Sequence, residues 1–179
     1  MGQLLTYRGE TIKAMELLAA DERVICIGQN VIYSGAIAID ETVRAFPLAR
    51  KIEVPIFENS HVGICTGLSL YGFIPLCIIP RMDFLIIAAD QLINHLDKIE
   101  AMSAGRFKPK VIIRTGVGAK TPLDAGPQHT QDHTEALRHM LTNIDVVKLE
   151  RAEEIVPAYK RALESERSTI LIEIAEMMR

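Results

Sequence analysis

One carboxylate stands apart by its position. Residues 55–90 read PIFENSHVGICTGLSLYGFIPLCIIPRMDFLIIAAD, and Glu58 is the only acidic residue there before Asp83, placed where a strand hands over to a helix. Such a carboxylate either favours the positive end of a helix or does proton chemistry. In isolation the first role deserves the larger share. Phe84 changes the balance, because it follows the next strand, and parallel strands would bring both residues to the same sheet edge. An acid and an aromatic face together suit a flat nitrogen heterocycle, the acid bonding its edge and the ring stacking on its face.

Other patterns carry less. His129 and His133 lie four apart in HTQDH with an acid between them, superficially like a metalloprotease motif. A zinc site there needs both rings on one helical face and a third ligand, while Gly126-Pro127 just upstream favours a loop. Residues 116–121, GVGAKT, look like the end of a phosphate-binding loop. That motif requires glycine immediately before the lysine and again five residues earlier, where this chain has Ala119 and Arg114. No GxGxxG follows the first strand, so a dinucleotide lacks its usual phosphate turn.

The elements that must position these residues follow from periodicity. A helix is expected over 11–21 with Thr11 as cap, and a buried strand over 23–28. A weak helix over 41–50, broken at Pro47, precedes a strand over 51–56. A helix over 60–71 carries Gly63 and Gly67 on one face, a spacing that suits its own sheet or another subunit's helix equally well. A strand over 73–79 ends at Pro80, and the longest helical pattern spans 83–102. A strand over 110–114 leads into a Gly- and Pro-rich loop over 115–131, of the kind that more often serves function. Then come a helix (134–141), a strand (145–148), a helix (152–163) and a last strand (168–174). This alternation predicts an α/β fold, a three-layer, mostly parallel doubly wound sheet with helices on both faces and ligands at the carboxyl ends of its strands.

Composition sets the class. At 179 residues, 49% apolar and 24% charged with net charge -3, the chain has the profile of one soluble domain, without a basic stripe for nucleic acid. Cys26, Cys65 and Cys77 sit in apolar runs, and their odd count and irregular spacing argue against a disulfide framework or a zinc cluster. They read as reduced core residues of a cytoplasmic protein. No membrane span is expected, and Gly2 begins only a loose MGxxxT myristoylation register.

Several segments together carry a family resemblance: Pro55-Ile56-Phe57-Glu58, His61-Val62-Gly63, Gly72-Phe73-Ile74-Pro75, Met82-Asp83-Phe84, residues 89–94 (ADQLIN), residues 102–105 (MSAG), residues 111–114 (VIIR) and residues 126–131 (GPQHTQ). In order and spacing they resemble the pyrimidine-binding domain of transketolase-like thiamine diphosphate enzymes, and most nearly the beta subunit of the pyruvate and branched-chain 2-oxo acid dehydrogenase first component. The resemblance spans nearly the whole chain. It implies that residues 1–179 form one such domain. It further implies that Glu58 bonds a ring nitrogen of the cofactor's aminopyrimidine and promotes its imino tautomer, and that Phe84 stacks on that ring. By the same resemblance, Pro80 lies beside the ring. His129 matches the histidine that reaches the active site for substrate or acyl transfer, and Tyr33 falls near a further active-site position in the loop after the first strand.

Departures from the family pattern bear on the assembly. Phe57-Glu58-Asn59-Ser60 replaces the usual Ser-Glu-Ala-Gly, and Gln29-Asn30 replaces an acidic pair, which leaves the substrate open. The Gly-Asp-Gly to Asn motif for magnesium is absent, and the sequence ends where a dehydrogenase beta subunit continues. The expectation is a pyrimidine-binding subunit of a split enzyme, active in a two-fold hetero-oligomer with a diphosphate-binding, alpha-type subunit that holds most of the Mg2+. Its reaction would be ketol or acyl transfer, or decarboxylation of a 2-oxo acid. A non-catalytic binding or regulatory protein on the same fold is the alternative.

Overall fold

The computed structural model describes residues 5–33, 39–121 and 124–178, so Gly2 lies outside the described residues. Its strands are β1 (Val24–Gly28), β2 (Lys51–Glu53), β3 (Ile74–Ile78), β4 (Ile112–Val117), β5 (Ile144–Lys148) and β6 (Ser168–Ile174). They form one sheet in the order β2-β1-β3-β4-β6-β5, and every pairing is parallel. The expected α/β architecture is borne out. No described helix is long and apolar enough to cross a membrane.

Alternation along the strands divides the interior in two. Cys26, Leu76, Ile78, Ile112 and Leu171 face one core with α1 (Tyr7–Ala19), α2 (Ile39–Thr42) and α7 (Ala152–Glu164). Ile27, Cys77, Ile79, Ile113, Ile170 and Ile172 face the other, beneath α3 (Glu58–Leu70), α4 (Met82–Leu85) and α6 (Thr134–Met140). A strand buried on both faces has no polar side to show, which is why VICIG and IPLCI read as unbroken apolar runs.

Several boundaries differ from the periodic reading. α1 begins at Tyr7 and is capped by Thr6, whose hydroxyl accepts from the Gly9 amide at 3.1 Å; Thr11 is interior and donates to the Tyr7 carbonyl. β2 is only three residues long. The apolar stripe over 83–102 is not one helix but α4, a 3₁₀ turn at Ile86–Ala88, a π-helical turn at Gln91–Leu96 and α5 (Ile99–Met102). Periodicity reports which face is buried and not which carbonyl each amide finds. β4 runs on through Val117, so GVGAKT opens as strand and not as a phosphate loop.

Within the first core lies a buried ion pair. Arg114, 1% exposed, makes two parallel bonds to Glu173 (Nε to Oε1 3.0 Å, Nη2 to Oε2 2.9 Å) and donates a third to Thr42 Oγ1 at 2.7 Å. Tyr159 donates to Glu173 Oε1 at 2.8 Å. Burial works against the guanidinium charge, but the adjoining Glu173 carboxylate outweighs it and holds Arg114 protonated above its usual range. Burial first, and then Glu173, push the Tyr159 hydroxyl up, so it stays a donor. Removing one partner leaves an uncompensated charge in the core. Glu173→Leu should therefore cost about 3–5 kcal/mol in denaturant unfolding, and Arg114→Met in the same chain should restore part of that loss.

Candidate functional site

Glu58 is the first residue of α3 and is only 2% exposed, at the edge where the strands end. One oxygen accepts a 3.3 Å hydrogen bond from the Gln29 side-chain amide, one residue past β1. The loop that presents Gln29 is pinned by Glu53 at the end of β2. Its carboxylate accepts from the Asn30 amide at 2.6 Å and from the Val31 and Ile32 amides at 2.8 Å each, with Asn30 in the left-handed region at φ 59°. Three successive amides on one carboxylate fix the loop's path, and so the position of Gln29. Tyr33, further along this loop, is 68% exposed.

A second group forms past β3. Phe84 in α4 is half-buried and meets the His129 ring edge to face, with centroids 5.3 Å apart at 81°. Arg81 donates to the His129 carbonyl at 3.0 Å, and Asp83 Oδ1 accepts from the Gln131 amide at 3.0 Å and from its side chain at 3.2 Å. The two residues flanking Met82 thus hold the 126–131 segment against α4. Pro80 is half-buried, and its carbonyl faces Gly116 of β4. His129 Nδ1, His133 Nε2 and Asp83 Oδ2 are buried without a hydrogen-bond partner.

The structure therefore pairs Phe84 with His129, while Pro80, two residues past β3, sets its carbonyl against Gly116. Glu58 joins this edge through the neighbouring α3, while Tyr33 stands out in solvent. Sequence reasoning missed Gln29, Glu53, Arg81 and Asp83 as positioning residues. The Asp83-Phe84 adjacency was the available signal, since an acid beside a candidate aromatic is well placed to hold a facing loop. Among the described residues, the one grouping of three His, Cys or carboxylate side chains close enough to share an ion is His61, Cys65 and Cys77, without His129 or His133. Gly63 packs against the Gln91 side chain of the same chain, while Gly67 faces open space.

Gly118 makes the approach of the 126–131 segment possible. A methyl group there would run into the His129 carbonyl oxygen and the Arg81 guanidinium. Gly118→Ala should cost about 1–3 kcal/mol, as overpacking does, and should speed amide exchange at 126–131. Unchanged unfolding and exchange would contradict that placement.

A family profile for the transketolase pyrimidine-binding domain matches residues 6–178. The chain is 30% identical over 172 residues to the mitochondrial pyruvate dehydrogenase E1 component subunit beta of Caenorhabditis elegans, covering 94% of this chain and 48% of that protein. It is 31% identical over 127 residues to the 3-methyl-2-oxobutanoate dehydrogenase subunit beta of Mycobacterium tuberculosis, covering 68% of this chain and 34% of that one. The chain thus spans about half or less of these relatives' length. A split-gene transketolase, solved as an inactive beta4 tetramer, superposes with a TM-score of 0.71 at 21% identity, over 95% of this chain and 51% of that one, and so shares the fold. By sequence over nearly its full length, the chain belongs to the transketolase pyrimidine-binding domain family.

Proposed function

We propose that this chain is the pyrimidine-binding domain of a thiamine diphosphate-dependent enzyme, and that a diphosphate-binding partner subunit supplies the other half of the site. The observation that carries the reading is Glu58, a buried carboxylate at the head of α3 whose hydrogen-bond partner among the described residues is the neutral Gln29 amide. A structural carboxylate of this burial would be expected to resemble Glu173, which is gripped by a guanidinium. Glu58 retains capacity to share a proton with a ligand.

The remaining groups suit an aminopyrimidine. Phe84 offers an aromatic face, with Pro80 on the same connection after β3, and His129 and Asp83 bring buried, unpartnered polar atoms to the same edge. Buried polar atoms seldom stay unpaired, so these support a ligand or second chain closing over them. When bound, thiamine diphosphate supplies a thiazolium carbon that adds to a substrate carbonyl. Glu58 holds a proton at the pyrimidine ring nitrogen, with Gln29 fixing the carboxylate's direction. His129, steadied by Arg81 and Phe84, handles a proton on the substrate side, and Tyr33 lies at the rim.

The partner would hold the diphosphate and Mg2+ in a two-fold hetero-oligomer in the cytoplasm. Support for such a contact comes from an exposed stripe on α3 and its end, Ile64, Gly67 and Tyr71, with Ile86 and Ile87 also exposed. The reaction class is ketol or acyl transfer or 2-oxo acid decarboxylation. Glu58→Gln keeps the size and the Gln29 contact but removes the proton-sharing carboxyl. In the assembled enzyme it should lower kcat by about 10²–10⁴-fold with the oligomer intact. Turnover equal to wild type in an intact oligomer would refute the assignment.

A further inference from the structure

His61 and Cys65 are four residues apart on α3 and point down onto Cys77 of β3. The donor atoms of the three side chains all lie within 4.8 Å of one another, and each residue is at most 1% exposed. All three cysteines are free thiols, as expected of reduced core residues, but their separation along the chain hid the fact that two of them converge on a histidine.

The histidine's second nitrogen is informative. His61 Nε2 lies 3.1 Å from the Ile27 carbonyl oxygen, which can only accept, so Nε2 carries the proton and Nδ1 is left as a bare lone pair. Nδ1 is buried and makes no well-formed hydrogen bond, although Cys77 and then His61 lie close enough to the Cys65 thiol to favour its thiolate. An apolar core gains nothing from an acceptor left without a full hydrogen bond. A neutral imidazole that gives one N–H to a backbone carbonyl and turns its other nitrogen toward sulfur is the arrangement metal-ligating histidines adopt.

We propose that His61 Nδ1, Cys65 Sγ and Cys77 Sγ form an internal site for a zinc-like, thiophilic divalent ion. Two thiolates and a neutral imidazole cancel a 2+ charge, which is what an apolar interior tolerates. Sulfur donors exclude magnesium and calcium, which take oxygen. Zinc–donor bonds of about 2.0–2.3 Å in a tetrahedral arrangement put donors roughly 3.7 Å apart, so side-chain rotations that draw the group together by about 1 Å close the site. Binding exchanges the two thiol protons for the ion, which keeps its oxidation state. Because the donors are sealed from solvent, the ion enters as the chain folds. Its structural effect is to clamp α3, one turn beyond Glu58, onto β3.

The test uses the full chain refolded with Co2+ as an optical stand-in for Zn2+. One cobalt per chain, with thiolate-to-metal charge-transfer absorption that Zn2+ abolishes and that is lost in both Cys65→Ala and Cys77→Ala, is the expected result. Alkylation during refolding provides a readout that survives a variant's failure to fold. Relative to metal-free refolding, Zn2+ should slow alkylation of Cys65 and Cys77 and leave that of Cys26, buried in the opposite core, unchanged. Absence of the absorption, its survival in both variants, alkylation of Cys65 and Cys77 unaffected by Zn2+, or a Cys65–Cys77 disulfide with no metal uptake would each overturn the proposal.

Discussion

Parallel pairing of β1 with β3 and of β3 with β4 is the constraint on which the remainder of the structure depends. Parallel strands end at one edge, and each must be followed by a connection that starts there. The Gln29 loop, the start of α4 and the chain past Gly116 therefore all leave from the same side of the sheet. β2 beside β1 delivers α3, and with it Glu58, to that side as well. Four segments far apart in the chain meet there without any of them being a long excursion.

The two buried glutamates show how the same side chain serves different ends. Glu173 has a bidentate guanidinium and a tyrosine hydroxyl, a fully paired arrangement that fixes α7 and β6 against β4. Glu58 is as deeply buried but faces a neutral amide, so its carboxylate is directed without being neutralised. The deep Arg114–Glu173 pair is thus fully satisfied beneath α7, while the site edge carries open polar atoms on His129, His133 and Asp83. Several unpaired buried polar atoms gathered at one edge are what a ligand or partner surface looks like before it closes.

How much of this was legible in the sequence depended on whether the signal was local. β1 and β3 were visible because strands buried on both faces are apolar throughout, and even Pro75, inside β3, did not hide it. Glu58 and Phe84 were visible because each sits one step past such a run. The start of α1 was misplaced since Thr6 and Thr11 look alike to a capping rule, and only the burial of Tyr7, whose hydroxyl bonds the Leu149 carbonyl 142 residues away, decides between them. The π-helical turn within 83–102 left no trace because a change in hydrogen-bond partner moves the apolar stripe only slightly. Gln29 on Glu58 and Cys77 against His61 were illegible for a simpler reason: each pairing is made by the sheet order and by nothing nearby in the chain.

The central claim is that this edge is half of a cofactor site completed by another chain. Native mass spectrometry of the chain, co-expressed with the protein encoded beside it and supplied with thiamine diphosphate and Mg2+, tests it most directly. The account predicts a two-fold hetero-oligomer that retains the cofactor, while neither chain alone does. A chain that holds no cofactor and forms no assembly with that protein would contradict it.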